Sequence, residues 1–372
     1  MVKLILAVLL FLISLLTVFK APAYALWLLA ILIDEFPWIP ILLTILLLVL
    51  NLRTTAYPLA ANSLLLLAFI LFLSPVLRAN LVSKYLRNNL ISAFGELPEQ
   101  GSKPAFLATK MFCGNDTVAC KTLAYASEGK NLLLDFYPAS ATGKRPCVIV
   151  VHGGSWKSGD SKQLPELNSY LAKQGYQVAA INYRLAPGAK CPAQVEDVAD
   201  ALTFLKTRSD EWKIDTSQFV LLGRSAGAQI ALLAAYTLKD PDIKGVIDFY
   251  GPADMVWGYS IPSNPLIMDS RKVMEDYLGG TYQAYPQYFE NSSPLLHVTR
   301  QSPPTLLMHG QNDVLVAYEH SKRLNEALKE NGVKHYLLTL PWATHGFDYN
   351  FNGPGAQLST YAVSYFLKSV TN

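Results

Sequence analysis

From Phe219 to Gln229 the chain reads Phe-Val-Leu-Leu-Gly-Arg-Ser-Ala-Gly-Ala-Gln, an apolar run that ends in G-x-S-x-G and passes straight into a helical pattern. A serine held in so sharp a strand-to-helix turn needs small neighbours. Gly223 and Gly227 supply them, so Ser225 Oγ can stand clear of the backbone. Ile230 to Tyr236 then reads as a buried helix whose N-terminal amides and dipole face the serine. The pattern alone recurs by chance in small-residue turns. A strand before it and a helix after it favour a nucleophile over such a turn.

A serine is a poor nucleophile at neutral pH unless a base takes its proton and a carboxylate orients that base. Pro304 to Gly310 is an apolar strand followed in the next loop by Asp313, and Val333 to Leu340 is a strand followed by Pro341-Trp342-Ala343-Thr344-His345-Gly346-Phe347. The order Ser225, Asp313, His345 is one in which such triads occur, each residue just past the C-terminal end of a strand. Six histidines compete for the role of base. His320 is expected on an exposed helix, His335 in a strand, His297 in a packing segment and His309 inside the strand that delivers Asp313. Only His345 has the loop position and the glycine neighbour that suit the task. Asp254 is the main rival acid, since Val246 to Asp254 is also strand then loop. Asp313 is favoured because its strand lies next to the histidine loop.

Cys147-Val148-Ile149-Val150-Val151-His152-Gly153-Gly154-Ser155-Trp156 is a buried strand running into paired glycines. Glycines there let backbone N–H groups approach a substrate oxygen. The expected oxyanion donors are Gly153 or Gly154, together with Ala226. His152 reads as a side chain that orders the loop.

These segments, with Asn182-Tyr183-Arg184-Leu185-Ala186-Pro187, Pro192-Ala193-Gln194-Val195-Glu196-Asp197 and Gly310-Gln311-Asn312-Asp313, make the region from Leu132 to Leu367 resemble the hormone-sensitive-lipase-like and feruloyl-esterase-like carboxylesterases of the α/β-hydrolase superfamily. The resemblance implies an α/β-hydrolase fold, with a mostly parallel sheet flanked by helices, and an acyl-enzyme route on small or lipid-like esters without metal or organic cofactor. Relatives with these motifs include esterases, deacetylases, arylformamidases and peptidases, so amide hydrolysis is the second reading and a catalytically silent, membrane-tethered binding module the third. One departure stands out. The loop after His152 is Gly-Gly-Ser-Trp where many lipolytic members carry three glycines.

At 372 residues the chain exceeds the ~250 of a single such domain, and composition locates the excess. From Met1 to Leu77 the only charged residues are Lys3, Lys20, Asp34, Glu35 and Arg53. Three candidate membrane spans follow: Leu4 to Phe19, Phe36 to Leu52 and Tyr57 to Leu77. Ala21 to Ile33 is a shorter piece, read as a fourth crossing, a re-entrant element or an interfacial helix, with Trp27 and Trp38 near headgroups. Arg78 to Leu97 carries Leu81, Val82, Tyr85, Leu86, Leu90, Ile91 and Phe94 at helical spacing, fitting either a membrane-surface helix or a helix packed on the catalytic domain. The sequence thus predicts an integral, multi-pass protein in three parts: 1–77 in the bilayer, 78–130 as juxtamembrane helix and linker, and 131–372 as catalytic domain. Because every motif lies beyond Leu132, the last part is expected to work without the first.

With three spans, Lys20, Arg78, Lys84 and Arg87 fall on the catalytic side and Lys3 and Arg53 opposite, a weak cytoplasmic bias. Cys113 and Cys120 flank Gly114-Asn115-Asp116 and could pair in an exported domain, while Cys147 and Cys191 read as free thiols. The side of the membrane and the oligomeric state stay open. A net charge of +3 without basic runs argues against nucleic acid as a partner. No Cys/His spacing suits a metal. The expected partners are the ester substrate and the bilayer.

Strands are expected at 131–137, 147–151, 178–183, 219–222, 246–250, 305–308 and 334–340. Helices are expected at 162–174, 194–208, 226–238, 318–331 and 357–369. Between Asp254 and Ser293 an aromatic-rich insertion, with Trp257, Tyr259, Tyr277, Tyr282, Tyr285, Tyr288 and Phe289, breaks the rhythm. It is expected either to cap the site or to pack its aromatics beneath the surface.

Overall fold

The computed structural model describes residues 2–51, 58–97, 104–115, 117–126 and 131–371. Four helices come first: α1 (Val2–Ser14), α2 (Tyr24–Glu35), α3 (Trp38–Asn51) and α4 (Pro58–Phe94). Strands and helices then alternate as β1 (Lys121–Ala124), β2 (Leu133–Tyr137), β3 (Arg145–Val151), α5 (Pro165–Lys173), β4 (Gln177–Ile181), α6 (Ala193–Thr207), β5 (Ile214–Arg224), α7 (Ala226–Thr237) and β6 (Ile243–Phe249). The insertion carries α8 (Met255–Ser260), α9 (Ser270–Leu278) and α10 (Pro286–Asn291), and the chain ends with β7 (Thr305–Gly310), α11 (Glu319–Glu330), β8 (His335–Leu340) and α12 (Pro354–Val370).

The strands form one eight-stranded sheet in the order β1-β2-β4-β3-β5-β6-β7-β8. The β1–β2 and β2–β4 pairs are antiparallel and the remaining pairs are parallel. Alternation divides the core between the two faces. Ile149, Val151, Ile181 and Leu221 point to the layer holding α6 and α7, whereas Val148, Val150, Ala180 and Leu222 point to that holding α5 and α12. Both faces are covered, so the central strands are continuously apolar. Each strand predicted from the sequence is present with shifted ends. The strand that sequence reading missed is β1, an edge strand whose Lys-Thr-Leu-Ala is mostly exposed and carries no apolar alternation.

The apolar N-terminus departs from three independent spans. Among the described residues one helix, Leu59–Phe94, is long and apolar enough to cross a membrane, and α2 with α3 forms a second candidate only if the pair, bent by 84°, counts as one span. At 14 residues α3 is about 21 Å long, short of a ~30 Å hydrocarbon core. The first expected span is helical only over Val2–Thr17. These helices still pack as a unit. Lys3 Nζ donates to Leu50 O (2.9 Å) at the end far from the sheet, and Arg78 Nη1 donates to Thr17 O (3.4 Å) at the near end. Arg53, the other cation placed at the far end, lies outside the described residues.

No break occurs at residue 77, because the third expected span and the amphipathic segment are one 37-residue helix, α4. The latter half of α4 docks on the catalytic region. Leu86, Leu90 and Phe94 are buried in the α12 layer, with Phe94 against Phe366 at 5.0 Å, while Leu81 and Tyr85 face outward. Glu35, at the end of α2, sits at the N-terminus of α12, where Gly355 N–H donates to its carboxylate (3.3 Å) and Asn350 Nδ2 to its backbone carbonyl (2.7 Å). The sheet itself begins at β1, before the expected 131 boundary.

All four cysteines are free. Cys113 Sγ turns back on Thr109 O (3.8 Å), and Cys113 and Cys120 are both exposed. Residue 116 of the intervening turn lies outside the described residues.

The docking of α4 has a measurable consequence. Leu90→Ala should lower stability by about 2–5 kcal/mol through the cavity it leaves, and Tyr85→Ala by no more than about 0.5 kcal/mol. Thermal unfolding of the detergent-solubilised chain checks this, and equal effects would mean that α4 is not held by the sheet.

Candidate active site

The site is built where β5, β7 and β8 end. Ser225, between β5 and α7, has φ 52° and ψ −120°, an unfavourable conformation for a non-glycine residue. Its amide donates to Phe249 O (2.8 Å) on the neighbouring strand, while its carbonyl accepts from Ala228 N (2.9 Å). The flanking glycines serve close approach. A Cβ at Gly227 would lie 2.2 Å from both Val151 O and His152 O, and one at Gly223 would lie 2.4 Å from Ala228 Cα.

Three of the expected residues share one hydrogen-bonded chain. His345 Nε2 lies 2.9 Å from Ser225 Oγ, and His345 Nδ1 lies 2.7 Å from Asp313 Oδ2. Asp313 is fully buried, yet its carboxylate is saturated. Oδ1 accepts from Leu315 N and Val316 N (2.9 Å each), and Oδ2 accepts from His309 Nε2 (3.1 Å) as well as His345. Burial alone would raise the Asp313 carboxyl; the His345 imidazole and the histidine hydrogen bonds outweigh it and hold the group well below the ordinary carboxylate value. It is therefore an anion at neutral pH. The imidazole is held with Nδ1–H toward Asp313, which leaves Nε2 free to accept from Ser225.

The rival residues are committed elsewhere. Asp254 caps α8, accepting from Trp257 N (2.9 Å), and pairs with Arg323 (2.8 Å). His320 is not exposed as expected: it is buried, accepts from Asp254 N (3.2 Å), and is pushed down to about 3 by burial and by His309. His297 bonds Asn291 O (2.9 Å). His152 stacks on Tyr183 at 4.2 Å and donates to Gly153 O (2.7 Å), ordering its own loop.

Of the two glycines expected to supply an oxyanion donor, Gly153 has its amide engaged within the protein. Its amide donates to Gln163 Oε1 at 2.7 Å. The amides of Gly154 and Ala226 take no acceptor among the described residues. Gln163 was invisible to sequence reading, because a surface-loop glutamine carries no pattern.

Other residues support the site. Asp348 receives Arg224 Nε (2.6 Å) and Tyr250 OH, all three buried, and the Tyr250 ring stands 4.4 Å from that of His345. Tyr183 OH donates to His152 O (3.1 Å), Asn182 Oδ1 accepts from Ser161 N (2.7 Å), and Arg184 is held by Asp197 (2.8 Å) and Glu196 (2.9 Å). Tyr183 thus holds the start of the glycine loop, while Arg184, Glu196 and Asp197 brace one another beside it in the chain.

Two cavities flank Ser225. One, of about 440 Å³, lies beneath the insertion among Pro252, Ile261, Val273, Met274 and Val316. The aromatics of the insertion do not line it: Tyr259, Tyr282 and Phe289 pack on one another, and Tyr277 stacks on Trp156 at 4.4 Å. The other, of about 650 Å³, lies between the glycine loop, His345 and α2. Trp27 Nε1 donates to His345 O at 3.1 Å, so the N-terminal helices contact the site itself. No group of acidic, histidine or cysteine side chains suited to a metal occurs among the described residues.

A protein-family model described as BD-FAE matches residues 134–328, just over half of the chain. The chain belongs to the BD-FAE family. It is 30% identical over 246 residues to the esterase LipC of Mycobacterium tuberculosis, covering 62% of this chain and 59% of that protein. It is 26% identical over 263 residues to a probable isoprenylcysteine alpha-carbonyl methylesterase, ICMEL1, of Arabidopsis thaliana, covering 65% and 54%. The chain thus spans less than two thirds of the length of these curated relatives. Solved structures share the fold. A truncated carbohydrate esterase from gut microbiota superposes with a TM-score of 0.57 at 20% identity, covering 69% of this chain and 98% of that one. Esterase 2 of Thermogutta terrifontis superposes with 0.54 at 22% identity, covering 66% and 90%. The α/β-hydrolase fold of this BD-FAE chain is therefore established by architecture and likeness together. Among the described residues α1–α4 and β1 precede the family-model match, which begins within β2.

The elbow geometry makes a sharp demand on one residue. Gly227→Ala should cost more than about 4 kcal/mol, since its methyl would overlap two backbone carbonyls. Near-normal thermal stability of that variant would show that the elbow relaxes without difficulty.

Proposed function

We propose that this chain is a membrane-anchored serine hydrolase that cleaves carboxylic esters of small or lipid-like substrates through an acyl-enzyme intermediate. The observation that carries the reading is the chain Ser225–His345–Asp313, at 2.9 and 2.7 Å, beside a glycine loop and a helix start whose Gly154 and Ala226 amides take no acceptor among the described residues. The named esterases among the relatives support it.

In this reading His345 Nε2 takes the hydroxyl proton as Ser225 Oγ bonds to the ester carbonyl carbon. The carbonyl oxygen gains charge and accepts from the two amides, which are aimed in advance and need no reorganisation. Collapse of the tetrahedral species breaks the bond to the alcohol oxygen, and His345 returns the proton to it. Water then attacks the acyl-Ser225 carbonyl by the same proton path and releases the acid. Asp313 keeps the tautomer that the first step needs and stabilises the imidazolium.

Anchoring rests on α4 together with the apolar surfaces of α1 and α3. Ile5, Leu12, Leu42, Leu46, Leu66 and Ile70 are each more than two-fifths exposed, a density of outward apolar side chains that water does not favour.

Ser225→Ala should abolish hydrolysis of a short-chain nitrophenyl ester and labelling by a fluorophosphonate probe. His345→Ala should lose on the order of 10⁴ in kcat, because triad members act as a unit. Asp313→Asn should lose a comparable factor and Asp254→Asn far less; the reverse order would overturn the assignment of the acid. A parallel panel of aryl amides separates ester from amide hydrolysis, and absence of both activities and of labelling would leave a binding module.

A second measurement addresses the anchor. The full chain should stay with the membrane through carbonate washing and come away only in detergent. Release by carbonate alone would reduce the attachment to a peripheral one.

A further inference from the structure

The residues of α2 that border the 650 Å³ cavity are Tyr24, Trp27, Leu28, Ile31 and Leu32. Their spacing of three and four is one face of a helix, and all but Tyr24 and Trp27 are purely aliphatic. The helix is fixed against the catalytic residues on that face: Trp27 Nε1 donates to His345 O (3.1 Å), and Ile31 Cδ1 would stand 3.4 Å from a Cβ at Gly346. Its start is tied to the insertion, with Tyr24 N–H donating to Leu266 O (3.0 Å) and Asn264 Nδ2 to Pro22 O (3.1 Å). Leu28 and Leu32 line the cavity and are nonetheless 42% and 50% exposed, so its mouth opens along α2. Helix α3, which follows α2 after a bend of 84°, carries Leu42, Leu43, Leu46 and Leu50 exposed.

The position of His345 tells the two cavities apart. The alcohol oxygen must receive its proton from His345 Nε2, so the alcohol leaves on the side that His345 borders, and His345 borders only the cavity under α2. We propose that this cavity is the leaving-alcohol site for a long aliphatic alcohol esterified in a membrane lipid, with the acyl group taken by the 440 Å³ cavity beneath the insertion. The apolar chain passes from the bilayer along α2 to Ser225. The N-terminal helices are then a wall of the substrate site as well as an anchor. This assignment rests on the serine ester hydrolase reading.

The test uses the full chain in detergent micelles with alkyl acetates from ethyl to dodecyl, followed by acid release. Each added methylene should raise kcat/KM about fourfold until the cavity is filled, the factor for burying one methylene. Leu28→Trp, which narrows the cavity, should lower the dodecyl-to-ethyl ratio at least tenfold. Leu26→Trp, on α2 but off the cavity, should leave that ratio unchanged. Fluorophosphonate labelling of each variant reports an intact Ser225, and Leu28→Phe replaces Leu28→Trp if the larger ring blocks labelling. A flat alcohol-length profile, or an unchanged ratio in the labelled Leu28 variant, overturns the proposal. So does a Leu28 effect on acyl length, in nitrophenyl esters, without one on alcohol length. Absence of both labelling and hydrolysis in the unmodified chain is a different failure, that of the serine hydrolase reading itself.

Discussion

The structure depends on the near-contact of α7 with β3 beneath Ser225. Gly227 runs so close to Val151 and His152 that their carbonyls occupy the space of any side chain. That contact lets the backbone reverse within one residue, and Ser225 takes the unfavourable dihedrals, at a cost of about 1–3 kcal/mol. The covered parallel sheet supplies the offset, since β3 and β5 pair in register from Cys147 and Phe219 up to Val151 and Gly223. The same contact brings the glycine loop after β3 beside the first amides of α7. The serine and the donors that face it are therefore consequences of one packing event, and a lapse at Gly227 disturbs both.

Electrostatics complete what packing begins. Two buried carboxylates stand near His345, and each is neutralised differently. Asp313 has four hydrogen-bond donors and lies in contact with the imidazole. Asp348 is matched to the guanidinium of Arg224 and the hydroxyl of Tyr250, whose pKa is raised well above its ordinary value by burial and by Asp348 itself. Burial of a charge without a partner costs several kcal/mol, so the Arg224–Asp348 pair keeps the elbow and the histidine loop in one relation as long as both members remain. Asp313 is the carboxylate that bonds the imidazole and orients it.

What the sequence made legible follows from where its patterns are strong. Central strands such as Val148–Val151 and Phe219–Leu222 are apolar on both faces and bounded by glycines, and both were found. The brought-together residues Ser225, Asp313 and His345 could be read because each ends a strand in a loop, a position that topology alone carries to one edge of the sheet. Gln163, Tyr250, Arg224 and Asp348 carry no pattern: their parts depend on side-chain contacts between segments up to 124 residues apart. His320 was misread because its helix, strongly polar on one face, still buries the face that holds His320, Leu324 and Leu328. The boundary expected at residue 77 is absent from α4 for a related reason. Hydropathy changes at Arg78, but nothing in Arg78-Ala79-Asn80-Leu81 stops a helix, so the chain runs on and only its surroundings change.

The larger departure concerns independence. Since every motif lies beyond Leu132, the sequence alone expects a catalytic region that needs nothing from the first 77 residues. Helix α2 nonetheless packs against the histidine loop and lines a cavity at Ser225, without contributing a reactive group. It has no motif, and its apolar character is explained equally well by a bilayer, so nothing in Tyr24–Glu35 marks it as belonging to the site. In the structure its outward leucines and its cavity-lining face lie on one 12-residue helix, bent by 84° from α3 and held by Trp27 at one edge and by Glu35 on α12 at the other. A helix anchored at both edges to the histidine loop and to α12 cannot shift without moving His345 or opening the cavity. Its position is thus coupled to the geometry of the serine–histidine pair, and the apolar segment and the catalytic sheet form one folded unit.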